Sequence, residues 1–363
     1  MEELLTRIDA APSEELPIDT EADSFHHYFE KVCLFQIATG GAAFLVDPLA
    51  PGLSLAPLFD RLAERTLLLH GADYDLRLLF RGYGFRAREV FDTMIAAQLL
   101  GEKELGLSAL LTKRLSITLD KAHQRADWSE RPLSPEMRAY AAADVLHLPA
   151  LVAALREELL AKDRLAWHRE ECARLVAIEM RPAEDDPEND WRIKGANGLS
   201  SRERAFLKAF WTVREERAKE LDRPPFRVLT NEKLLHGTRL AAKGERDIAL
   251  VFPGPRPLPG SFARKLKEAL EAARALPAAD WPGMKRGEKA EADPQLERAV
   301  DALRKKRDAK ALLLGMDPVV VAPKAAVAAL ARAQLRLGTA ESPATLAAES
   351  GVSRWRAEVL LST

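Results

Sequence analysis

The spacing of hydrophobic and polar positions changes along the chain, from a strand-rich start to a helical remainder. Three apolar, β-branched runs at 16–20, 32–39 and 42–47 have the length and composition of strands. Gly40-Gly41 separates the second run from the third, which is typical of a two-residue hairpin. The pattern therefore predicts three meandering strands at the start of the fold.

Helical and strand-like spacings alternate after the third run. The predicted elements are a helix at 54–65, a strand at 66–69, a helix at about 74–81, a short strand at 89–91 and a helix from Asp92. No further strand is predicted after residue 93. This alternation favours one mixed sheet with helices on its faces.

The second half of the chain is predicted to be almost wholly helical. An acidic, proline-bearing segment at 181–190 has the composition of a linker. Further helices are expected near 231–241 and 261–275, and a second helical block follows a Pro/Gly/Lys-bearing stretch at 279–294. A helix over 201–220 is indicated by apolar positions at helical spacing, namely Phe206, Leu207, Phe210, Trp211 and Val213.

Composition restricts the class of protein. A length of 363 residues favours two or three domains, and 47% hydrophobic with 30% charged residues exclude disorder as the main state. No apolar run approaches the ~20 residues that span a bilayer, and the N-terminus is acidic, unlike a signal peptide. Two cysteines, Cys33 and Cys172, are too few for a disulfide framework or a thiolate zinc site. We therefore expect a cytoplasmic protein without membrane association.

The net charge of −1 conceals an asymmetry between the two halves. Residues 1–200 carry 23 Lys and Arg against 34 Asp and Glu, whereas residues 201–363 carry 31 against 21. A basic half can hold a polyanion such as a nucleic acid, although many solvated helical surfaces are basic too.

The first candidates for chemistry are Asp19 and Glu21 on the first predicted strand. Because strand side chains alternate, both carboxylates lie on one face of the sheet. Two adjacent anions are tolerated most easily when a cation lies between them. A polar, solvent-facing edge strand would explain the pair equally well.

A second candidate group is the run from His70 to Asp75, at the junction of a strand and a helix. Asp73 fits a helix N-cap, and Asp75 lies in the first turn, where the helix dipole favours a carboxylate. Spacing alone does not choose between them. Asp92, before Thr93 at the next helix start, is most simply a cap.

The third candidate pair is Tyr140 and Asp144 in an alanine-rich helix. A spacing of four places the phenol and the carboxylate on one helical face. Since the surrounding residues are apolar, Asp144 is expected to be partly buried, and it then needs a metal ion, an arginine or several donors. A structural ion pair is the alternative.

Together these positions offer four carboxylates: Asp19, Glu21, one of Asp73 and Asp75, and Asp144. Hard oxygen ligands without a Cys/His cluster suit Mg²⁺ or Mn²⁺. Such a set can hold two metal ions ~4 Å apart, an arrangement that cleaves phosphodiesters.

In order along the chain, these motifs resemble those of the DEDDy 3′→5′ exonucleases. The carriers are Asp19-Thr20-Glu21, His70 with Asp75, and Tyr140-x-x-x-Asp144. The segment 119–133, with its Asp-Trp-Ser-Glu-Arg-Pro-Leu run, is similar to the RNase D branch of that family. The resemblance covers roughly residues 10–175 and implies a ribonuclease-H-like α/β fold.

The resemblance also implies roles for individual residues. Asp19, Glu21, Asp75 and Asp144 would be the ligands of two divalent metal ions, Mg²⁺ or Mn²⁺, and Asp73 would remain a cap. Tyr140 would position the attacking water. The candidate substrate contacts are Thr20, His70, Lys121, Gln124 and Arg131, although surface polar roles fit the last three equally well. Trp128 and Leu133 would be packing anchors, and Ala126 stands where related sequences often have Ser or Thr.

The helical half resembles HRDC domains. The carriers include Leu199, the helix bearing Trp211, and Arg223-Pro-Pro-Phe. The predicted organisation is an exonuclease domain at 1–180, a linker at 181–197, an HRDC domain at 198–275, a linker at 276–294 and a second HRDC-like domain at 295–363. A helix-turn-helix over 345–360 is the alternative for the tail.

These features predict a metal-dependent 3′→5′ exoribonuclease of the RNase D type. The resemblance implies RNA with a free 3′ end as substrate, such as tRNA precursors, and nucleoside 5′-monophosphates as products. DNA is a possible substrate if the chain acts like the exonuclease domain of the Werner-syndrome helicase. A non-catalytic nucleic-acid-binding protein on the same fold is the other alternative. We expect a monomer, because no heptad or exposed apolar stripe is evident.

Overall fold

The computed structural model describes residues 1–120, 122–178, 186, 188–255, 257–283 and 293–362. These residues form two compact units. The first unit comprises the described parts of Met1–Ala22, Val32–Met180 and Ala290–Thr363. The second unit comprises the described parts of Asp23–Lys31 and Arg181–Lys289.

A five-stranded mixed sheet forms the centre of the first unit. Its strands are β1 (Leu16–Ala22), β2 (Val32–Thr39), β3 (Ala42–Val46), β4 (Thr66–Leu69) and β5 (Glu89–Asp92). The strand order is β3-β2-β1-β4-β5, in which β1 to β3 are antiparallel and β4 and β5 run parallel to β1. The hairpin turns at Gly40 and Gly41, whose φ of 56° and 78° favour glycine. The predicted mixed sheet is confirmed, and all strands among the described residues precede residue 93.

Among the described residues up to 178, the first unit contains eight helices. They are α1 (Glu2–Ala10), α2 (Ala56–Leu62), α3 (Asp73–Tyr83), α4 (Thr93–Leu100), α5 (Leu107–Leu115), α6 (Pro135–Leu146), α7 (Leu148–Ala161) and α8 (Leu165–Ala177). Helix α6 packs against β1, β2 and β3, whereas α7 packs against β4 and α8 against β5. The site described below lies between α6 and the sheet.

Helices α6 and α7 form one apolar stretch, 135–161. By length and composition alone this stretch could span a membrane, since its mean hydropathy reaches 1.2. No apolar run of that length was expected from the sequence. In the structure α6 packs on the sheet, and α7 packs on α4 and α5. Both helices therefore use their apolar sides inside the first unit.

The second unit is a small helical bundle. Its helices are α9 (Ser201–Leu221), α10 (Pro225–Val228), α11 (Asn231–Ala242), α12 (Ile248–Val251) and α13 (Gly260–Ala275). Phe206, Leu207 and Phe210 of α9 are buried in its core. The segment Asp23–Lys31 packs here, because His27 Nδ1 lies 2.7 Å from Asp222 and the Tyr28 hydroxyl donates to Glu215 at 3.1 Å.

Five C-terminal helices return to the first unit. They are α14 (Pro294–Leu314), α15 (Pro318–Val321), α16 (Lys324–Leu337), α17 (Pro343–Ser350) and α18 (Arg354–Leu361). Leu303 and Leu330 share one buried cluster with Leu99 and Leu151 of α4 and α7. Arg164 donates to the carbonyls of Leu99 (2.6 Å) and Leu314 (2.7 Å) and so ties the ends of α4 and α14 together.

The start of α18 is held against α8 by hydrogen bonds and by ring stacking. Glu170 accepts from the backbone N–H groups of Arg354 (2.5 Å) and Trp355 (3.2 Å) at the first turn of α18. The Trp355 side chain is buried and stacks on Trp167, with ring centroids 4.7 Å apart. The helix-turn-helix over 345–360 stays the alternative for the tail.

The predicted division into an exonuclease domain, two linkers and two helical domains stays a prediction. The described residues 293–362 belong to the same compact unit as the sheet, although they were expected to form a domain of their own.

Candidate active site

Strand β1 delivers the first two carboxylates of the site. Asp19 and Glu21 are cross-strand partners of Gln36 and Leu34 on β2, so all four side chains project from the same face of the sheet. Helix α6 packs on this part of the sheet. The carboxylates therefore lie beneath a helix rather than on a solvent-facing edge strand.

Helix α6 delivers the third carboxylate. It begins at Pro135, after the Ser134 hydroxyl accepts from the Met137 N–H at 3.1 Å. About two and a half turns further along α6, Asp144 brings a carboxylate oxygen to the β1 pair. Oxygens of Asp19, Glu21 and Asp144 all lie within 4.8 Å of one another. This is a separation that one metal ion can bridge.

Asp75 completes the set from the first turn of α3. The Thr20 hydroxyl donates to Asp75 Oδ1 at 2.5 Å, which fixes the carboxylate beside β1. Asp75 is buried, and its charge acts on both Asp19 and Glu21. Helix α3 thus places Asp75 in the carboxylate group.

Asp73 does not have the predicted role of an N-cap. Helix α3 begins at Asp73, with Ala72 at the cap position and no side-chain cap, and Asp73 pairs with Arg77 at 2.9 Å on the exposed side. The preceding backbone N–H groups of Gly71 and Ala72 donate to Asp92 instead, at 3.0 and 2.8 Å. Asp92 also caps α4, as expected from the sequence. One carboxylate therefore accepts hydrogen bonds from backbone N–H groups at the start of α4 and just before α3.

Burial raises the pKa values of all four carboxylates, and repulsion from the other carboxylates adds to the effect at Asp19 and Glu21. Burial raises the pKa of Asp19 well above its usual range, and repulsion from Asp75, Glu21 and Asp144 adds to the effect. Burial, with repulsion from Asp144 and Asp75, raises the pKa of Glu21 to about 9. Burial also raises the pKa values of Asp75 and Asp144 to about 6.

A cation is required if the whole set is to be ionised near neutral pH. Within the described ranges, no Lys or Arg forms an ion pair with any of the four carboxylates. Four oxygen-donor side chains without sulfur or imidazole among them fit a hard divalent ion such as Mg²⁺ or Mn²⁺. The residues present therefore fit the metal site predicted from the sequence.

Tyr140 lies beside Asp144, and both line the same cavity. Burial, together with the charges of Asp144, Glu21 and Asp19, raises the pKa of the Tyr140 phenol. The centroid of its ring lies 6.0 Å from the ring centroids of both Trp128 and His123. Tyr140 is therefore a neutral hydroxyl held in place by its neighbours.

His70 and Gln124, two of the predicted substrate contacts, line a cavity of about 230 Å³ together with Asp19, Tyr140 and Asp144. His70 Nδ1 lies 2.9 Å from the Thr93 hydroxyl, which donates to the Leu69 carbonyl. The Thr93 oxygen therefore accepts from the Nδ1–H of His70. Burial lowers the pKa of the His70 imidazole. The resulting neutral ring keeps Nε2 as an acceptor.

The other three predicted contacts have different surroundings. The Thr20 hydroxyl is used by Asp75. Arg131 donates twice to Asp47, each time at 2.7 Å, and also to the carbonyls of Cys33, Trp128 and Glu130, which favours a packing role over a phosphate contact. Lys121 lies outside the described residues.

Several cavity-lining residues were not predicted from the sequence. They are Gly106, Leu107, Ser108, Leu119 and Asp120. Gly106, Leu107 and Ser108 follow α4 in a stretch without a recognisable motif, whereas Leu119 and Asp120 begin the segment 119–133, whose resemblance assigned no role to these two positions. Their place at the site results from the packing of α5.

Comparisons with known proteins agree with this geometry. Residues 1–160 match the family described as 3′-5′ exonuclease. The ribonuclease D of Jannaschia sp. (strain CCS1) is 32% identical over 324 residues, which cover 86% of this chain and 82% of that protein. The ribonuclease D of Zymomonas mobilis subsp. mobilis is 37% identical over 273 residues, covering 72% and 68%.

A solved structure shows the same fold. The crystal structure of Escherichia coli RNase D has a TM-score of 0.67 and 24% sequence identity, and the match covers 99% of this chain and 94% of that one. The predicted fold class, an α/β exonuclease domain followed by helical domains, is confirmed. From the exonuclease match and the extent of its similarity to these relatives, the chain belongs to the ribonuclease D family of 3′→5′ exoribonucleases.

Proposed function

We propose that Asp19, Glu21, Asp75 and Asp144 bind two divalent metal ions and that the chain uses them to hydrolyse the terminal phosphodiester bond at RNA 3′ ends. The observation that carries the proposal is the convergence of oxygens from Asp19, Glu21 and Asp144 within 4.8 Å. Asp75, hydrogen-bonded to Thr20, adds a fourth carboxylate from another element.

Metal ions bound by these carboxylates would polarise the phosphate and lower the pKa of the attacking water. The chain's own contribution is orientation. Tyr140, protonated and beside Asp144, can hydrogen-bond the water that attacks the terminal phosphate. His70 can accept through Nε2 from a hydroxyl of the terminal nucleotide. The products would be nucleoside 5′-monophosphates.

We propose RNA with an unpaired 3′ end, such as a tRNA precursor, as the substrate. The name ribonuclease D of the curated relatives supports RNA. The basic C-terminal half supports backbone contacts beyond the site, since each neutralised phosphate adds affinity without sequence information. Helix α14 presents Arg298, Lys305 and Lys306 as exposed side chains on its outer side.

The test is a gel assay with a 5′-labelled RNA carrying an unpaired 3′ tail, and with its DNA counterpart. Each is incubated with Mg²⁺, Mn²⁺ or EDTA, using the wild type and Asp144→Ala. We expect metal-dependent shortening of RNA from the 3′ end by the wild type only. Activity retained by Asp144→Ala would refute the site, and equal or faster shortening of DNA would refute RNA as the preferred substrate.

We further propose that the protein is cytoplasmic and monomeric. Both cysteines, Cys33 and Cys172, are buried free thiols, which suits a reducing compartment. Sedimentation analysis tests the monomer. Leu312 and Leu313 are 84% and 79% exposed, and they are the side chains to substitute if a dimer is found.

A further inference from the structure

Gln36 is a polar residue inside a strand that is otherwise apolar over 32–38. Every residue of β2 is buried, and Gln36 is 0% exposed. An amide at the centre of a buried strand lowers stability unless both of its polar ends find partners. Hydrophobic packing therefore does not explain a glutamine at position 36.

The register of the sheet places Gln36 next to the carboxylate group. Gln36 is the direct cross-strand partner of Asp19 on β1 and of Leu45 on β3. Directly opposed side chains share a face and have Cβ atoms about 5 Å apart. Leu34, two residues earlier and on the same face, packs in one cluster with Ala141 of α6. The Gln36 amide thus lies under α6, beside Asp19.

Neither amide atom of Gln36 has a hydrogen-bond partner among the described residues. Among the described residues, no side chain donates a hydrogen bond to the Asp19 carboxylate either. The buried Gln36 amide and the neighbouring, partly buried Asp19 carboxylate on the same face therefore both have unused hydrogen-bonding capacity. Their direct cross-strand register makes each the nearest candidate partner of the other on this face of the sheet.

We infer that Gln36 is a positioning residue for Asp19: its amide NH₂ donates to one carboxylate oxygen and leaves the other directed at a metal ion. The inference rests on the metal site proposed above. A donor in this place would orient the ligand, as hydrogen bonds to metal-binding carboxylates commonly do. The bond is strongest when Asp19 is ionised, which is the state that a bound cation favours.

This role predicts two effects of opposite sign when the amide is replaced by an apolar side chain of similar size. The metal-free protein should become more stable, because an unsatisfied buried amide is removed. Metal binding should become weaker, because Asp19 loses the group that orients it. A glutamine with a merely structural role would not produce this combination.

The experiment uses the full chain without RNA, as wild type, Gln36→Leu and Gln36→Met. Mn²⁺ alone is titrated by calorimetry, and urea unfolding is followed in EDTA. We expect the dissociation constant for Mn²⁺ to rise about 10- to 100-fold in both variants, and the urea midpoint in EDTA to rise. Ile37→Val is the matched control on the same strand and opposite face; it should lower the urea midpoint and leave Mn²⁺ affinity unchanged.

The outcomes separate this inference from the proposed function. A wild type that binds no Mn²⁺ at this site would overturn the metal site itself. A wild type that binds, with Gln36→Leu and Gln36→Met binding equally well, would overturn only the role of Gln36. Failure of both variants to fold would show that the amide serves folding, and would also overturn the inference.

Discussion

At the residue scale, the roles of similar side chains depend on what each one faces. Asp73 and Asp75 lie two residues apart on α3, yet Asp73 pairs with Arg77 on the exposed side and Asp75 accepts from the buried Thr20 hydroxyl. Two positions on a helix are about 200° apart, so neighbouring carboxylates point in nearly opposite directions. Only one of them can belong to the site.

Asp75→Asn should lower kcat by about 10³-fold or more, because it removes a charged metal ligand. Asp73→Asn is the matched control on the same helix, and it should change kcat by less than about twofold, since it removes only an exposed ion pair. Both variants are compared with the wild type on the same RNA in Mg²⁺. Comparable losses in the two variants would contradict the assignment of Asp75.

Tyr140→Phe should lower kcat by about 10- to 100-fold by removing the hydroxyl that orients the water. Mn²⁺ affinity, measured by calorimetry, should remain within a few-fold of the wild type, because the carboxylates are unchanged. Unchanged kinetics would exclude Tyr140 from the reaction.

The raised pKa values of the carboxylates predict how pH affects the metal-free protein. Folded Asp144 has a pKa of about 6, against 3.8 for an ordinary aspartate. Because folding raises this pKa, its contribution to stability is complete below about pH 4 and is lost as the pH rises through about 6. Glu21 continues the loss towards about pH 9.

Urea unfolding in EDTA across this pH range, for the wild type and Asp144→Asn, measures the effect. The variant should become more stable than the wild type as the pH rises through about 6, since asparagine does not ionise. Saturating Mn²⁺ should reverse the order. A difference that does not depend on pH would contradict the raised pKa of Asp144.

At the element scale, the packing of a helix decides which of its faces remains exposed and can bind a ligand. Helix α14 buries Leu303 and Ala311 in the core of the first unit and exposes Arg298, Lys305 and Lys306 on the other side. In the described part of the chain, Lys305 and Lys306 form no ion pair. Their charges are therefore available to a polyanion.

The double substitution Lys305→Glu/Lys306→Glu should raise KM for RNA several-fold and leave kcat nearly unchanged. The slope of log KM against log salt should fall by about one for each phosphate that these lysines no longer neutralise. Asp301→Lys adds a charge on the exposed side of the same helix and should change KM in the opposite direction. An unaltered salt dependence in both variants would place the RNA path elsewhere.

At the scale of the whole molecule, the C-terminal helices are part of the structure that supports the active site. They share a buried cluster with α4 and α7, and the backbones of Gly101 and Gly315 approach so closely that a Cβ on Gly101 would lie 2.0 Å from the Gly315 carbonyl oxygen. Removing everything after residue 195 would therefore also remove part of the core of the first unit.

A chain truncated after residue 290 should lose stability, because it exposes buried side chains such as Leu99 and Leu151. We expect a drop in Tm of about 10 °C or more, or loss of soluble protein. Leu313→Ala, a change at an exposed position of α14, should leave Tm within about 2 °C. A truncated protein with the wild-type Tm would show that the C-terminal helices are an independent domain.

The chain's sequence by itself determined the five strands, the helices α2, α3, α4 and α6, and three carboxylates of the site, Asp19, Glu21 and Asp144, whereas the choice of Asp75 over Asp73 came from the family resemblance. These depend on local spacing, such as the period of two in β1 and the spacing of four between Tyr140 and Asp144. The tertiary structure decided what depends on residues far apart in the chain. Asp92 rather than Asp73 holds the start of α3, Arg131 binds Asp47, Gln36 lies beside Asp19, and 293–362 pack with the sheet. The physical reason is that a local pattern fixes the direction of a side chain within its element, whereas the partner it meets is fixed only when the elements pack together.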